Sequence, residues 1–231
     1  MITRIHLVRH AESAAAAEDK FAGETDVPLS ERGREQAGRL AARLAAEPVG
    51  AVYASPLART QETARQIAEP RGMAVITRDA LREISHGHWE NRRRSEVEAL
   101  FPQEYARYER DPFTFAPEGG ESGLAVTARA LPCLMDIVGE NPGRQVVVVS
   151  HKATIRLVLC SLLGFDPRRY RDRLDQSPAA LNILDFRESG EARLMLFNDT
   201  SHDPAAPSGT PSAALRRLSR PWDSGGPDPS G

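Results

Sequence analysis

QVVVVSH, residues 145–151, is the stretch that decides the fold. Four consecutive valines place β-branched, apolar side chains on both faces of a pleated strand. Such a run fits a strand buried from either side, not one with a wet face. A strand of that kind belongs to a largely parallel sheet covered by helices on both faces. It passes without a spacer into Ser150-His151, and residues 152–163 then read as a helix. Polar residues between a strand end and a helix start lie where open α/β sheets gather their ligands.

Outward from this strand the same rhythm recurs. ITRIHLV at 2–8 is a short apolar run ending at Arg9-His10, and AVYA at 51–54 ends at Ser55-Pro56. Further strands are expected at 73–77, 181–186 and 192–197. Helices fall between them. Residues 31–46 follow Ser30 as N-cap and carry Leu40 and Leu44 at i, i+4. Residues 57–69 are stopped by Pro70-Arg71-Gly72, and 121–139 form a helix that Pro132 should kink or split. The alternation predicts an α/β three-layer sandwich with a mostly parallel central sheet. His10, Ser55 and His151 then all project beyond the same sheet edge.

Residues 84–120 break the rhythm. They hold Trp89, Phe101, Tyr105, Tyr108, Phe113 and Phe115 among many charges, and read as a helical cap inserted into a domain spanning 1–202. Those aromatics serve equally as a wall for an apolar group or as the cap's own core. Residues 203–231 turn to Pro, Ser, Gly and Ala, the composition of a disordered tail. Within it, 213–218 has the pattern of one helical turn, and Trp222 is the residue able to dock back.

Composition narrows the function classes. The 231 residues are 40% hydrophobic and 27% charged, with a formal net charge of −2. That balance gives no global attraction to nucleic acid or to an anionic membrane. No apolar run approaches the ~20 residues needed to span a bilayer. The N-terminus opens on a strand-like run without a basic start or a small-residue cleavage site, so it does not read as a signal peptide. A cytoplasmic protein is expected, as a monomer or homodimer. Cys133 and Cys160 read as small buried hydrophobes, and there is no Cys-x-x-Cys pair to hold zinc.

The motifs acquire meaning jointly. Leu7-Val8-Arg9-His10 is followed by Asp26-Val27-Pro28-Leu29-Ser30 and Gly33-Arg34-Glu35-Gln36-Ala37. Then come Ser55-Pro56-Leu57-Ala58-Arg59-Thr60, Leu81-Arg82-Glu83-Ile84, Gly119-Gly120-Glu121-Ser122 and Val149-Ser150-His151. In this order and spacing the chain resembles the histidine phosphatase superfamily, the phosphoglycerate mutase-like family, from about Ile5 to about His202. The resemblance implies a phosphomonoester hydrolase acting on a small phosphorylated metabolite. His10 would be the nucleophile, Glu83 the proton donor, and Arg9, Arg59 and His151 the groups that hold the phosphoryl oxygens. It further implies a substrate pocket of Arg9, Ser13, Ala22, Gly23, Arg59 and Lys152.

The chemistry accounts for the residue types. A phosphoryl group in transfer spreads negative charge over its equatorial oxygens and needs several fixed positive donors. Arg9 and Arg59 offer planar, permanently charged forks suited to those oxygens. Cationic side chains then stand where a magnesium ion stands in other enzymes, so neither metal nor cofactor is expected. Each residue also has a plain alternative. Arg59 has Glu62 at i, i+3 as a surface partner, and Glu90 rivals Glu83 as the acid. His86-Gly87-His88 offers two imidazoles but no third ligand, which is thin support for a metal site. His202 reads as a supporting residue. Arg92-Arg93-Arg94, at the start of a cap helix, reads as a solvated basic turn.

The chain departs from the family pattern at several places. Ala11 replaces the usual Gly, and position 86 usually holds an aromatic. Ala15 and Ala16 stand where many members carry an aromatic and then a phosphate-holding Asn. Lys152-Ala153 replaces Gly-Gly, and the Lys152 side chain either restores the missing donor, meets a second anionic group on the substrate, or is simply solvated. Two further functions stay open. One is a mutase that returns phosphate to its substrate, disfavoured by the 68 residues separating Glu83 from His151. The other is a regulatory binding protein without catalysis.

Overall fold

The computed structural model describes residues 1–14, 20–188 and 190–204. The expected tail features at 213–218 and Trp222 lie outside the described residues. In chain order the elements are β1 (Ile2–Arg9), α1 (Glu31–Leu44), β2 (Val49–Ala54), α2 (Ala58–Ala68) and β3 (Val75–Thr77). The cap region carries α3 (Arg94–Leu100) and α4 (Pro102–Arg110). The chain then returns through α5 (Gly123–Glu140), β4 (Gln145–Ser150), α6 (Lys152–Leu163), α7 (Tyr170–Arg173), β5 (Leu181–Arg187) and β6 (Ala192–Asp199).

The six strands lie in the order β3-β2-β4-β1-β5-β6. The first four are mutually parallel, while β5 runs antiparallel to β1 and β6 antiparallel to β5. The valine run behaves as its composition demands. Val146 and Val148 enter one core with Ile5, Leu7, Leu134 and Ile155, under α5 and α6. Val147 and Val149 enter the other with Val8, Leu40, Leu44 and Ile67, under α1 and α2. All four valines are fully buried.

This topology creates the site. β1 and β4 are adjacent and in register, with Arg9 opposite Ser150. Yet the helix after β1 covers one face and the helix after β4 covers the other. The sheet therefore has a switch point between these two strands, and a crevice opens beyond their carboxyl ends.

Pro132 neither splits nor ends its helix, since α5 runs unbroken through it. The proline removes one N–H, which would have bonded the carbonyl four residues back. Both Pro132 and Ala128 are exposed, so the missing bond falls on the solvent side of the helix. The apolar face of α5 (Val126, Ala130, Leu134 and Ile137) stays seated against the sheet.

Residues 84–120 form a separate small core. Trp89, Val97, Tyr108 and Phe115 pack together with Phe21, which comes from the loop after β1. The insertion closes at its base. The Glu121 N–H donates to the Ser85 carbonyl at 2.9 Å, and the Ser85 N–H returns to the Glu121 carboxylate at 3.1 Å. Gly87, at φ +52, lets the two backbones approach, because a Cβ there would meet the Glu118 carbonyl at 2.1 Å.

Candidate active site

Arg9 is the last residue of β1, and His10 follows it into the crevice. The His10 N–H donates to the Ser150 carbonyl at 2.9 Å, which fixes the backbone against the end of β4. Its ring Nδ1 lies 2.7 Å from the Ala11 carbonyl. A carbonyl only accepts, so Nδ1 carries the hydrogen and Nε2 keeps its lone pair. Burial, reinforced by the positive Arg9 and Arg59, pushes the imidazole well below its usual value. This is a buried, neutral imidazole of one tautomer.

His151 is the N-cap of α6 and is fully buried, its ring 5.1 Å from that of His10. Nε2 is 2.8 Å from the Ser55 hydroxyl, just past β2, so the three strand ends named above do converge. Its Nδ1 finds no hydrogen-bond partner among the described residues. Burial and the nearby Arg59 push this imidazole well below 6.5 too.

The two arginines are held by carbonyls, not by carboxylates. Arg9 Nη1 donates to the Gln176 carbonyl at 2.6 Å, and its buried Nε has no partner among the described residues. Desolvation, with Arg156 close by, brings its guanidinium down to about 10. Arg59 enters from the first turn of α2 and is 2% exposed. It donates to the carbonyls of Thr25 (2.8 Å) and Gly23 (2.6 Å). Glu62 pairs instead with Arg34, so the surface alternative for Arg59 falls away.

Glu83 sits beneath the cap and is 9% exposed. Oε1 accepts from the N–H groups of Ile84 and Thr154 and from the Thr154 hydroxyl, and Oε2 from the Ala153 N–H at 3.1 Å. Two of these amides belong to the first turn of α6, so Glu83 satisfies donors that a helix start leaves open. Arg129 locks the turn from behind through the carbonyls of Ala80, Arg82 and Glu83 and a two-pronged bond to Glu121.

Glu90, the rival acid, has other work. It accepts from the backbone N–H groups of Gly23, Glu24, Thr25 and His86 and from the Thr25 hydroxyl. The 23–25 loop is thus gripped at its amides by Glu90 and at its carbonyls by Arg59.

A cavity of about 230 Å³ collects Arg9, His10, Ser13, Ala22, Arg59, Glu83 and Lys152. It also takes in Lys20, Phe21, His86 and Arg94, which sequence reasoning had not placed there. Gly23 does not line it. Its role is packing, since a Cβ there would lie 1.9 Å from the Ile84 carbonyl. Ala15 and Ala16 lie outside the described residues. His86 and His88 part company: His86 faces the cavity, while His88 packs on Phe101 and reaches Glu104 at 3.3 Å. His202 sits near Asp199 and Asp203, away from the cavity. Gln36 of the Gly33–Ala37 motif ties the Glu12 N–H to Asp203. Arg92 and Arg94 are exposed but not merely solvated, since their guanidiniums lie over the rings of Phe101 and Phe21.

Burial alone makes the stability of this protein depend on pH. His6, His10, His86, His151 and His202 are all pushed below 6.5, with desolvation the largest cause in each and His86 brought to about 4. Below pH 6.5 the unfolded chain takes up protons that the folded chain refuses. Stability is therefore full above that pH and falls as pH drops toward the folded values, by about 1.4 kcal/mol per pH unit for each histidine held neutral. Melting temperature should fall steeply between pH 7 and 5. A flat profile over that range would contradict the desolvated arrangement.

The fold and site define a class: α/β proteins with a buried histidine and two arginines at the switch point of the sheet. The model of the histidine phosphatase superfamily (branch 1) matches residues 5–200, and the chain belongs to that family. It is 37% identical to phosphoserine phosphatase 1 of Hydrogenobacter thermophilus over 73% of this chain and 80% of that protein. It is 32% identical to a probable phosphoglycerate mutase of Yersinia enterocolitica, over 80% and 86% respectively. Among solved structures it is similar to Bacillus stearothermophilus YhfR, with a TM-score of 0.82 and 28% identity, over 87% of this chain and 98% of that one.

Proposed function

We propose that this chain is a metal-independent phosphomonoesterase of the cytoplasm that hydrolyses a small phosphorylated metabolite through a phosphohistidine on His10. The observation that carries the reading is the neutral, single-tautomer His10 in one cavity with Arg9, Arg59 and Glu83. In the first half-reaction Nε2 attacks phosphorus, the P–N bond forms and the ester P–O bond breaks. Glu83 gives its proton to the departing alkoxide. In the second, water attacks phosphorus, Glu83 takes a proton from it, and the P–N bond breaks to release inorganic phosphate. Arg9 and Arg59 supply the positive charge that the equatorial oxygens require, while His151, fully buried and not lining the cavity, backs the His10 ring at 5.1 Å.

The phosphoserine phosphatase relative supports hydrolysis, and the mutase relative supports transfer to an acceptor as the second reading. A screen of phosphorylated metabolites for phosphate release, run with and without EDTA, separates them. Hydrolysis that survives chelation is expected. Phosphate exchange that needs a bisphosphorylated primer, with no net release of phosphate, would overturn the hydrolase reading.

A further inference from the structure

Arg9 and Arg59 are unequally held. Arg59 is fixed by two carbonyls of the 23–25 loop. The Arg9 guanidinium makes a single hydrogen bond among the described residues, from Nη1 to the Gln176 carbonyl at 2.6 Å. Its aim within the cavity therefore depends on where that one peptide stands.

Two buried carboxamides decide where it stands. Gln176 and Asn182 are both fully buried. Gln176 Nε2 donates to Asn182 Oδ1 at 2.9 Å, and Asn182 Nδ2 donates back to Gln176 Oε1 at 2.8 Å. Asn182 Nδ2 also donates to the Leu7 carbonyl of β1 at 3.0 Å, and Oδ1 also accepts from the Asn198 N–H at 2.9 Å. All four hydrogen-bonding positions of the Asn182 amide are thus used. The Gln176 N–H is taken by Asp175 at 2.8 Å, and the Ser177 N–H by Asn198 at 2.7 Å. The bonds form a circuit. It leaves β1 at the Leu7 carbonyl, passes through both carboxamides to the Gln176 peptide, and returns to β1 at the Arg9 guanidinium. The same segment gives the Ala179 N–H to the His10 carbonyl and takes the Arg9 N–H on the Ala180 carbonyl.

A pair of buried carboxamides is a costly way to fill space, since apolar side chains of that volume would need no partners. What the pair adds is direction. An apolar residue at 176 would occupy the same room without fixing the rotation of the peptide whose oxygen meets Arg9. That partner is a carbonyl and not a carboxylate, so the charge of Arg9 is left for a phosphoryl group.

We propose that Gln176, braced by Asn182, is the positioning residue that aims the Arg9 guanidinium at the scissile phosphoryl group. This deepens the hydrolase reading and rests on its placing of that group beside Arg9.

The test is a cycle of variants of the full-length chain, read as kcat/KM for 4-nitrophenyl phosphate and as the calorimetric dissociation constant of inorganic phosphate. Gln176→Met keeps the length of the side chain and loses both bonds to Asn182. It should raise KM and the phosphate dissociation constant tenfold or more, with a smaller change in kcat. In an Arg9→Met background the same substitution should change kcat/KM less than twofold, because no guanidinium remains to be aimed. In an Arg59→Met background it should keep its full effect. A residue that only fills space would give one factor in all three backgrounds. Equal factors, or an unchanged KM in the single variant, overturn the proposal. Gln176→Glu guards against a methionine variant that does not fold. Its protonated form keeps both bonds, whereas its ionised form sets a carboxylate oxygen against Asn182 Oδ1, and burial favours the protonated form. Its kcat/KM relative to wild type should be near one at pH 5 and at least fivefold lower at pH 8. A ratio that does not change with pH also overturns the proposal. If wild type releases phosphate from no ester, the hydrolase reading fails instead, and the phosphate dissociation constants of wild type and Gln176→Met still decide whether Gln176 governs the anion site.

Discussion

His10→Ala should lower phosphate release from 4-nitrophenyl phosphate by about 10⁴-fold or more, the scale of loss when a covalent nucleophile is removed. The large figure follows from how completely the site is built around one atom. The Nδ1 contact with the Ala11 carbonyl fixes the tautomer, and burial beside two guanidiniums keeps the ring neutral. Neither Arg9 nor Arg59 can replace an imidazole as nucleophile, because both remain cations. His151, the imidazole packed beside it, has its Nε2 committed to Ser55. Rapid quenching of wild type should trap one phosphate per chain, stable in alkali and lost in acid, as a P–N bond is. The variant should trap none. Residual turnover within tenfold of wild type would remove the covalent mechanism.

Glu83→Gln should separate the two half-reactions. With an alkyl phosphate the leaving alkoxide needs a proton, so the loss should reach about 10²–10⁴-fold. With 4-nitrophenyl phosphate the phenolate leaves unaided and the first step should be much less affected. Water must still be deprotonated in the second step, so the phosphoenzyme should accumulate. A burst of one nitrophenolate per chain followed by slow turnover is the expected trace. The introduced amide would also turn an N–H₂ toward the Ala153 or Thr154 N–H groups, which now find carboxylate oxygens, so a modest fall in melting temperature should accompany it. Equal losses for alkyl and aryl esters without a burst would assign the proton transfer elsewhere.

Much of this was readable in advance, for identifiable reasons. Four valines in a row admit few environments, and β4 is buried on both faces as they require. His10, Ser55 and His151 were legible because strand ends in a parallel sheet share an edge. Pro132 leaves α5 unsplit because its position on the helix circumference, not its identity, decides the cost. Other features left no local trace. Arg129 grips a turn nearly fifty residues away, and Gln176 reaches Arg9 across 167 positions. Lys20 and Arg94 enter the cavity only because Phe21 and the cap fold against each other. Glu90 looked like an acid because spacing cannot show that five donors already occupy it.

The paired backbone and side-chain bonds between Ser85 and Glu121 have a consequence for how such a protein can change. The two ends of the insertion meet at one fixed neck, and the same Glu121 binds the arginine that locks Glu83. Lengthening or rebuilding what lies beyond the neck adds little closure entropy, because the ends are already joined. The residues proposed to make and break the phosphorus bond lie on the near side, anchored to the sheet. The chain is thus divided into a fixed engine and an exchangeable cap, joined at this clasp and through the 20–25 loop, whose amides Glu90 holds and whose Phe21 enters the cap core.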